Sequence, residues 1–257
     1  MTEKPLILVS NDDGINAQGI GVLTRLMCAL ADVVVVAPDG PRSGAACSMT
    51  VTRPVTLSPI SRTTGLTTVA CSGTPADCVK LALEHVVDRK PTLMVSGINH
   101  GDNASINVHY SGTMGAVFEA CMKDIPAIGF SLRTRDTQCD FTPYEEAITR
   151  IAGHVLQNGL PQDTCLNVNF PQVERLAGLS VCRMARGKWD TEWAPTEQQG
   201  TFRLTGRYTC LEPDAQDTDW WAMDHGRGAV VPLHLDMTHT PCLSTLQSLN
   251  IELWNTI

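Results

Sequence analysis

Short β-branched runs alternate with helical patterns over residues 1–130, and this alternation limits the folds open to the chain more than any other feature. The runs predict five strands, at residues 6–10, 33–37, 67–71, 92–96 and 127–131. Because strands joined through helices usually pair in parallel, the pattern predicts a mostly parallel α/β sheet flanked by helices. A helical pattern at 143–156 and a run at 165–170 extend this sheet and complete a predicted core over residues 1–171.

One helix start in this core can be placed from its residues. Thr74 is suited to cap a helix, Pro75 to occupy its first position, and Asp77 to lie near its positive end. The sequence therefore predicts a helix from there to about residue 87.

The texture of the chain changes beyond the core. Short alternating pieces rich in Gly, Pro, Trp and Thr carry turn signals such as Thr205-Gly206, which is typical of hairpins that project from a core. The tail is predicted to contain a strand at 229–235 and a weakly amphipathic stretch at 243–254. We interpret residues 172–257 as a hairpin and tail region and not as an independent domain.

Charge and cysteine usage limit the partners and the compartment. The chain has 19 basic and 27 acidic side chains, a net charge of −8, which argues against a broad cationic surface for a nucleic acid polymer or an anionic membrane. Its ten cysteines form no C-x-x-C pair, and several lie in apolar runs, which favours reduced core thiols in a cytoplasmic protein. No stretch approaches the ~18 apolar residues of a membrane span.

Polar side chains follow the carboxyl ends of the predicted strands, where open parallel sheets bind their ligands. The first strand leads to Asp12 and Asp13, the second to Ser43, and the fourth to Asn99. Asn103, Ser111 and Thr113 come later in the segment that follows the fourth strand. We expect these side chains to converge on one crevice.

The loop after the first strand distinguishes two chemistries. A dinucleotide-binding domain has the pattern G-x-G-x-x-G here, whereas this chain has Asp12 and Asp13. Adjacent carboxylates repel a phosphate unless a divalent cation lies between them, and oxygen donors without His or Cys favour Mg²⁺ or Mn²⁺ over zinc. The alternative is that the two aspartates only cap a turn and the helix after it.

A second pattern complements the carboxylates. Ser111, Gly112 and Thr113 open a predicted helix, and hydroxyl and backbone N–H groups at a helix start can bind an anion. The alternative is that Ser111 or Thr113 is an ordinary N-cap. Together the two patterns describe a phosphate held between a helix terminus and a metal ion, which is a site for phosphoryl hydrolysis.

Four ordered segments resemble the SurE family of stationary-phase survival proteins, which are metal-dependent nucleoside-monophosphate phosphatases. They are LVSNDDGI at 8–15, APDGPRSG at 37–44, GTPADCV at 73–79 and the segment 96–116 that contains SGIN and YSGTMGA. The resemblance implies a Rossmann-like core and a C-terminal hairpin region that builds a homodimer or homotetramer. This chain departs from the family pattern at Ser105 and Asn107, where many relatives have Gly and an acidic residue.

The same resemblance implies the roles of individual residues. One divalent ion per subunit, Mg²⁺ or Mn²⁺, would be bound by Asp12, Asp13, Ser43 and Asn99. The phosphate would be surrounded by Asn103, Ser111, Gly112 and Thr113. The implied activity is hydrolysis of nucleoside 5′- and 3′-monophosphates, with short polyphosphate as a side substrate.

We hypothesise in-line attack of a water on phosphorus, with Asp12 or Asp13 as proton acceptor. His100 and His109 flank the expected site, and either is a candidate proton donor to the leaving group. The aromatic side chains of the hairpin region suit either a subunit interface or a base-stacking platform; they are Trp189, Trp193, Trp220 and Trp221. Two alternative functions are a non-catalytic nucleotide sensor and a nicotinamide-dependent oxidoreductase, and the second lacks the glycine fingerprint.

Overall fold

The computed structural model describes residues 4–134, 136 and 138–249. The helices are α1 Gln18–Cys28, α2 Pro75–His85, α3 Gly112–Cys121, α4 Glu145–Asn158 and α5 Asp219–Asp224. The strands are β1 Leu6–Ser10, β2 Asp32–Pro38, β3 Leu57–Thr63, β4 Leu66–Cys71, β5 Leu93–His100, β6 Ala127–Leu132, β7 Thr164–Phe170, β8 Gly178–Val181, β9 Gly187–Asp190, β10 Trp193–Pro195, β11 Phe202–Leu204, β12 Arg207–Cys210 and β13 Arg227–His234.

Nine of these strands form one sheet in the order β3-β4-β2-β1-β5-β6-β7-β13-β8. The six strands from β4 to β7 in this order run parallel, whereas β3 and β13 are antiparallel to β4 and β7. The mostly parallel α/β sheet predicted from the sequence is therefore confirmed, and all five predicted strands of the first 130 residues belong to it.

Helices cover both faces of the sheet because its central strands are apolar on both sides. In β1, Ile7 and Val9 pack in one apolar cluster with α1 and α4, and Leu6 and Leu8 pack in another with α2 and α3. Each of these buried side chains contributes about 1.5–3 kcal/mol to folding. The result is a three-layer core whose loops gather at the strand ends.

The start of α2 agrees with its prediction in detail. Thr74 Oγ1 accepts a hydrogen bond from Asp77 N at 3.2 Å, and Asp77 Oδ2 accepts one from Thr74 N at 2.9 Å, which is a capping box. Asp77 also accepts from Thr50 N, so the helix start holds the preceding loop.

A two-stranded arm, residues 187–210, leaves the sheet. Strand β9 pairs with β12 and β10 pairs with β11, and both pairs are antiparallel. The chain reverses between Thr196 and Thr201, whose backbone groups are hydrogen-bonded. Thr205-Gly206 does not form this turn, contrary to the sequence prediction, because it lies between β11 and β12, where Thr205 N bonds Glu192 O.

The hairpin and tail region also contributes to the sheet, since β13 lies between β7 and β8. Strand β3 was missed because its side chains are mostly exposed and give no apolar run. The amphipathic stretch predicted at 243–254 falls partly outside the described residues; up to Leu249 the tail has only short 3₁₀ turns. Within the described part of the chain, every helix is too short or too polar to span a bilayer.

Candidate active site

A cavity of about 1110 Å³ opens at the carboxyl ends of the central strands. One end is lined by polar residues from the strand-end loops, namely Asp12, Ser43, Asn99, Asn103 and Ser111. The part of the lining that comes from the arm and α5 contains four aromatic residues, Trp189, Trp193, Tyr208 and Trp220, and we call it the aromatic end. Of the seven side chains expected to converge, the five at the polar end line the crevice, whereas Asp13 and Thr113 do not, and the crevice extends further, to the arm.

Asp12 is the most buried carboxylate of the polar end, with 5% of its surface exposed. Thr113 Oγ1 donates a hydrogen bond to Asp12 Oδ1. Gly112 packs so closely that an added Cβ would lie 2.8 Å from Asp12 Cβ, so only glycine fits there. Burial raises the pKa of Asp12 to about 6, the Thr113 hydrogen bond lowers it, and the charge of Asp13 raises it.

Asp13 is held beside Asp12 by the segment that ends β5. Its Oδ2 accepts a hydrogen bond from His100 N at 3.2 Å and lies 3.2 Å from His100 Nδ1. The His100 ring packs edge-on against Phe141, at 5.6 Å between centroids. His100 lines the crevice, whereas His109 is exposed and does not.

Asn99 reaches the crevice because β5 is irregular near its end. The pairing of β5 with β6 shifts register between Ser96 and Asn99. Gly97 lies there at φ +126°, where a Cβ would be 2.2 Å from Phe130 O. Asn99 Nδ2 donates to Gly101 O at 2.8 Å, and no donor among the described residues bonds Asn99 Oδ1.

The donor chemistry of this end fits a hard divalent cation. Asp12, Ser43 and Asn99 line the crevice with oxygen atoms, and Asp13 is next to Asp12. Across the described ranges, no basic side chain pairs with Asp12, and no group of three His, Cys, Asp or Glu residues could hold a metal. The buried carboxylate is therefore left without a compensating positive charge, and the available ligands suit Mg²⁺ or Mn²⁺ better than zinc.

The residues expected around the phosphate divide into two groups. Asn103 and Ser111 line the crevice, whereas Gly112 and Thr113 lie behind Asp12. Ser111 Oγ accepts from Met114 N at 3.0 Å and so caps α3, which agrees with the simpler interpretation of this hydroxyl. Asn103 Nδ2 donates to Ser131 Oγ at 2.8 Å.

Six residues of the crevice wall form a closed ring of contacts that the sequence did not reveal. We call this set the crevice ring; it consists of Asp102, Asn107, Arg133, Trp189, Tyr208 and Trp220. Arg133 directly follows β6, so the strand-end rule could have found it. The other members come together only through the fold, and no local pattern marks their contacts.

A buried carboxylate joins α5 to the loop after β5 and to the segment just before the arm. Asp219 is fully buried and accepts three backbone hydrogen bonds, from Ser105 N at 2.7 Å, Ala185 N at 2.8 Å and Trp220 N at 2.8 Å. Burial raises its pKa, and the three hydrogen bonds lower it. Ser105 adopts φ +52°, where glycine would be unstrained, and its Oγ donates to Ala185 O at 2.7 Å.

Comparison with known proteins identifies the family of this chain. The family model described as survival protein SurE matches residues 7–191. The chain belongs to the SurE family. It is 50% identical over 240 residues to the 5′-nucleotidase SurE of Bacteroides thetaiotaomicron, a match that covers 92% of this chain and 93% of that protein.

Two further SurE proteins match over nearly their whole length. The 5′-nucleotidase SurE of Bacteroides fragilis is 47% identical over 249 residues, covering 96% of this chain and 98% of that protein. The crystal structure of the SurE protein from Aquifex aeolicus superposes with a TM-score of 0.83 at 34% identity, covering 96% of this chain and all of that chain. The SurE resemblance of the four sequence segments is thereby confirmed.

Proposed function

We propose that this chain is a 5′-nucleotidase, a phosphomonoesterase that hydrolyses nucleoside 5′-monophosphates to nucleoside and phosphate. One observation carries the proposal: a single cavity joins an uncompensated acidic end, at Asp12, to an aromatic end, at Trp189 and Trp193. Such a cavity offers separate places for a phosphate with its counter-cation and for a nucleoside. The relatives with 47–50% identity carry the name 5′-nucleotidase, which favours an enzyme over a nucleotide sensor.

We assign the metal site to Asp12, Asp13, Ser43 and Asn99, which would hold one Mg²⁺ or Mn²⁺ ion per subunit. The all-oxygen donor set supports this assignment, as does the Asp12 carboxylate, which pairs with no basic side chain among the described residues. When bound, the ion offsets the two carboxylates and draws charge from the phosphoryl oxygens. Asn103, Ser111, Gly112 and Thr113 are assigned to the phosphate side.

The protein's own groups then have separate tasks in hydrolysis. Asp12 is assigned as the acceptor of the proton from the attacking water, because its carboxylate lines the crevice and no basic side chain among the described residues pairs with it. Thr113 orients that carboxylate through its hydrogen bond. The N-terminus of α3 stabilises charge that develops on the phosphoryl oxygens. The water oxygen bonds to phosphorus as its proton passes to Asp12, and the P–O ester bond breaks. The leaving oxygen takes a proton, from His100 in the crevice or from water, and departs as the nucleoside alcohol.

A substrate and metal panel tests this function. We expect phosphate release from nucleoside 5′-monophosphates with Mg²⁺ or Mn²⁺, and at least about a hundredfold less with chelator. Nucleotide binding without phosphate release under any metal would identify a sensor. Equal rates for nucleotides and unrelated phosphate esters would identify a general phosphatase.

The substrate range and the assembly of the protein are further proposals, and the substrates can be added to the same panel. Nucleoside 3′-monophosphates and short polyphosphate are proposed as further substrates, and we propose assembly as a homodimer or homotetramer through the hairpin region. The exposed apolar residues Trp193, Phe202 and Leu204 on the arm support that assembly. We also propose a cytoplasmic location, which the ten free cysteines support because thiols persist in reducing compartments.

A further inference from the structure

The crevice ring joins the arm to the loop that carries the polar end. Trp189 Nε1 donates to Asn107 Oδ1 at 2.8 Å, and Asn107 Nδ2 donates to Asp102 Oδ1 at 3.1 Å. Asp102 lies between Asn99 and Asn103 in sequence. The two hydrogen bonds of the Asn107 amide therefore connect the aromatic end of the crevice to the loop that carries its polar end.

The rest of the ring supports the arm from the other side. Arg133 Nε lies 3.4 Å from Asp102 Oδ2, and the guanidinium lies 4.1 Å from the Trp220 ring centroid. Trp220 stacks on Tyr208 at 4.1 Å, and Tyr208 meets Trp189 edge-on at 5.8 Å. These contacts use packed rings, whereas the Asn107 side of the ring depends on hydrogen bonds with fixed direction.

We propose that Asn107 is a specificity-determining positioning residue that holds the arm, through Trp189, against the nucleoside part of the substrate. The inference rests on the proposed function and concerns the leaving group, not the phosphate. An amide at this position can accept from the indole N–H and donate to Asp102 at once. A carboxylate could accept from the indole but would repel Asp102, and a serine is too short to replace both bonds.

The inference predicts a separation between two substrates. A nucleoside monophosphate spans both ends of the crevice, whereas p-nitrophenyl phosphate offers a small aryl group in place of the nucleoside. Loosening the arm should therefore weaken nucleotide binding and leave hydrolysis of the aryl ester largely intact. A merely structural role would lower both activities together.

Two variants test the hydrogen bond from its two ends. Trp189→Phe removes the indole N–H and keeps an aromatic ring against Tyr208, and Asn107→Ala removes the amide. Asp102 keeps its bond from Ala104 N and its ion pair with Arg133 in both. We expect the nucleotide KM to rise about tenfold with little change in kcat, and kcat/KM for the aryl ester to stay within about twofold.

A double variant and a matched control complete the experiment. Both side chains act through one hydrogen bond, which can be lost only once. The double variant should therefore have a kcat/KM for the nucleotide no lower than that of the more impaired single variant. Asn158→Ala removes an exposed amide that bonds His154 at the end of α4, outside the crevice lining, and should change neither substrate.

The outcomes separate this inference from the function on which it rests. A wild-type protein that releases phosphate from neither substrate overturns the proposed function itself. Active wild-type protein whose two variants keep the wild-type ratio of nucleotide to aryl ester kcat/KM overturns the inference alone. Equal losses on both substrates, with a change of oligomeric state in light scattering, would assign Trp189 to a subunit contact and also overturn it.

Discussion

At the scale of single residues, Asp12 combines a chemical role with a cost to folding. Burial raises its pKa to about 6 from an ordinary value of 3.8, so the folded protein without metal keeps this proton at pH values where the unfolded chain has lost it. Between these two values the folded state binds more protons than the unfolded state, and the free energy of unfolding falls as pH rises. Above pH 6 the full cost is present.

Replacing Asp12 by Asn removes this cost together with the proposed proton acceptor. We expect Asp12→Asn to lower kcat about a hundredfold or more. With chelator at pH 7.5, it should raise the free energy of unfolding by about 1–3 kcal/mol, because the amide is neutral at every pH. Urea denaturation at pH 4 and pH 7.5 measures this, and the gain should shrink at pH 4. An unchanged kcat would contradict the proposed role of Asp12. A metal-free variant less stable than metal-free wild type at pH 7.5 would contradict the predicted cost to folding.

At the scale of elements, helix α3 sets the position of the loop that carries Ser43. Gly115 lies on α3 directly against this loop, and a Cβ there would lie 2.3 Å from Ala46 O. The loop is also fixed by the hydrogen bond from Ala46 N to Tyr110 O. The contact leaves no room for a larger side chain, so any substitution must move the loop or the helix.

Gly115→Ala should therefore displace Ser43 without unfolding the core. We expect the Mn²⁺ concentration for half-maximal activity to rise about tenfold while circular dichroism stays the same. Gly21→Ala on α1 is the matched control, since nothing lies within 4 Å of its Cβ position. That control should leave the metal dependence unchanged and stabilise the protein by about 0.5–1 kcal/mol through helix propensity. Unchanged metal dependence in Gly115→Ala would remove the loop from the proposed site.

The capping box of α2 gives a second prediction at this scale. Thr74→Ala removes the side-chain acceptor for Asp77 N and should lower the free energy of unfolding by about 1 kcal/mol. Thr74→Ser keeps a hydroxyl and should recover most of the loss. Thermal unfolding of wild type and both variants measures these effects. Equal melting temperatures for wild type and Thr74→Ala would show that the cap does not stabilise the protein.

These elements show how far local sequence patterns reach. The strands β1, β2, β4, β5 and β6 and the start of α2 were predictable because buried runs and caps are local signals. The position of Asp12, Ser43 and Asn99 in one crevice was predictable because the strand ends of a parallel sheet meet at one edge. The Trp189–Asn107 bond joins residues 82 positions apart, and the three bonds of Asp219 join three separate segments, so no local pattern encodes either.

At the scale of the whole molecule, the hairpin and tail region contributes two strands to the sheet of the core. Strand β13 pairs with β7 along six residues, and β8 extends the sheet beyond it. A chain ending at residue 171 would leave the buried strand β7 as an open sheet edge. We expect such a truncation to be insoluble, as a sedimentation assay of cell extracts would show. A soluble fragment with native-like circular dichroism would contradict this.

Shortening the arm should have a different result. Asp190 and Arg207 are paired across β9 and β12, so an Asn-Gly turn in place of residues 191–206 closes a two-residue hairpin without disturbing either strand. We expect a folded protein with a melting temperature near that of wild type. Light scattering should show a smaller oligomer if the arm builds the assembly, and an unchanged mass would locate the subunit contact elsewhere.

The arm projects from the sheet and contacts the crevice wall through a few side chains, whereas the strand ends are held by the central sheet. We therefore expect mutations in the arm to cost little in folding and, under the proposed function, to affect only the nucleoside half of the substrate. A laboratory selection for growth on a single nucleotide should accumulate its first changes between residues 187 and 210. The selected variants would still hydrolyse phosphate esters, and they would differ in which nucleosides they accept as leaving groups.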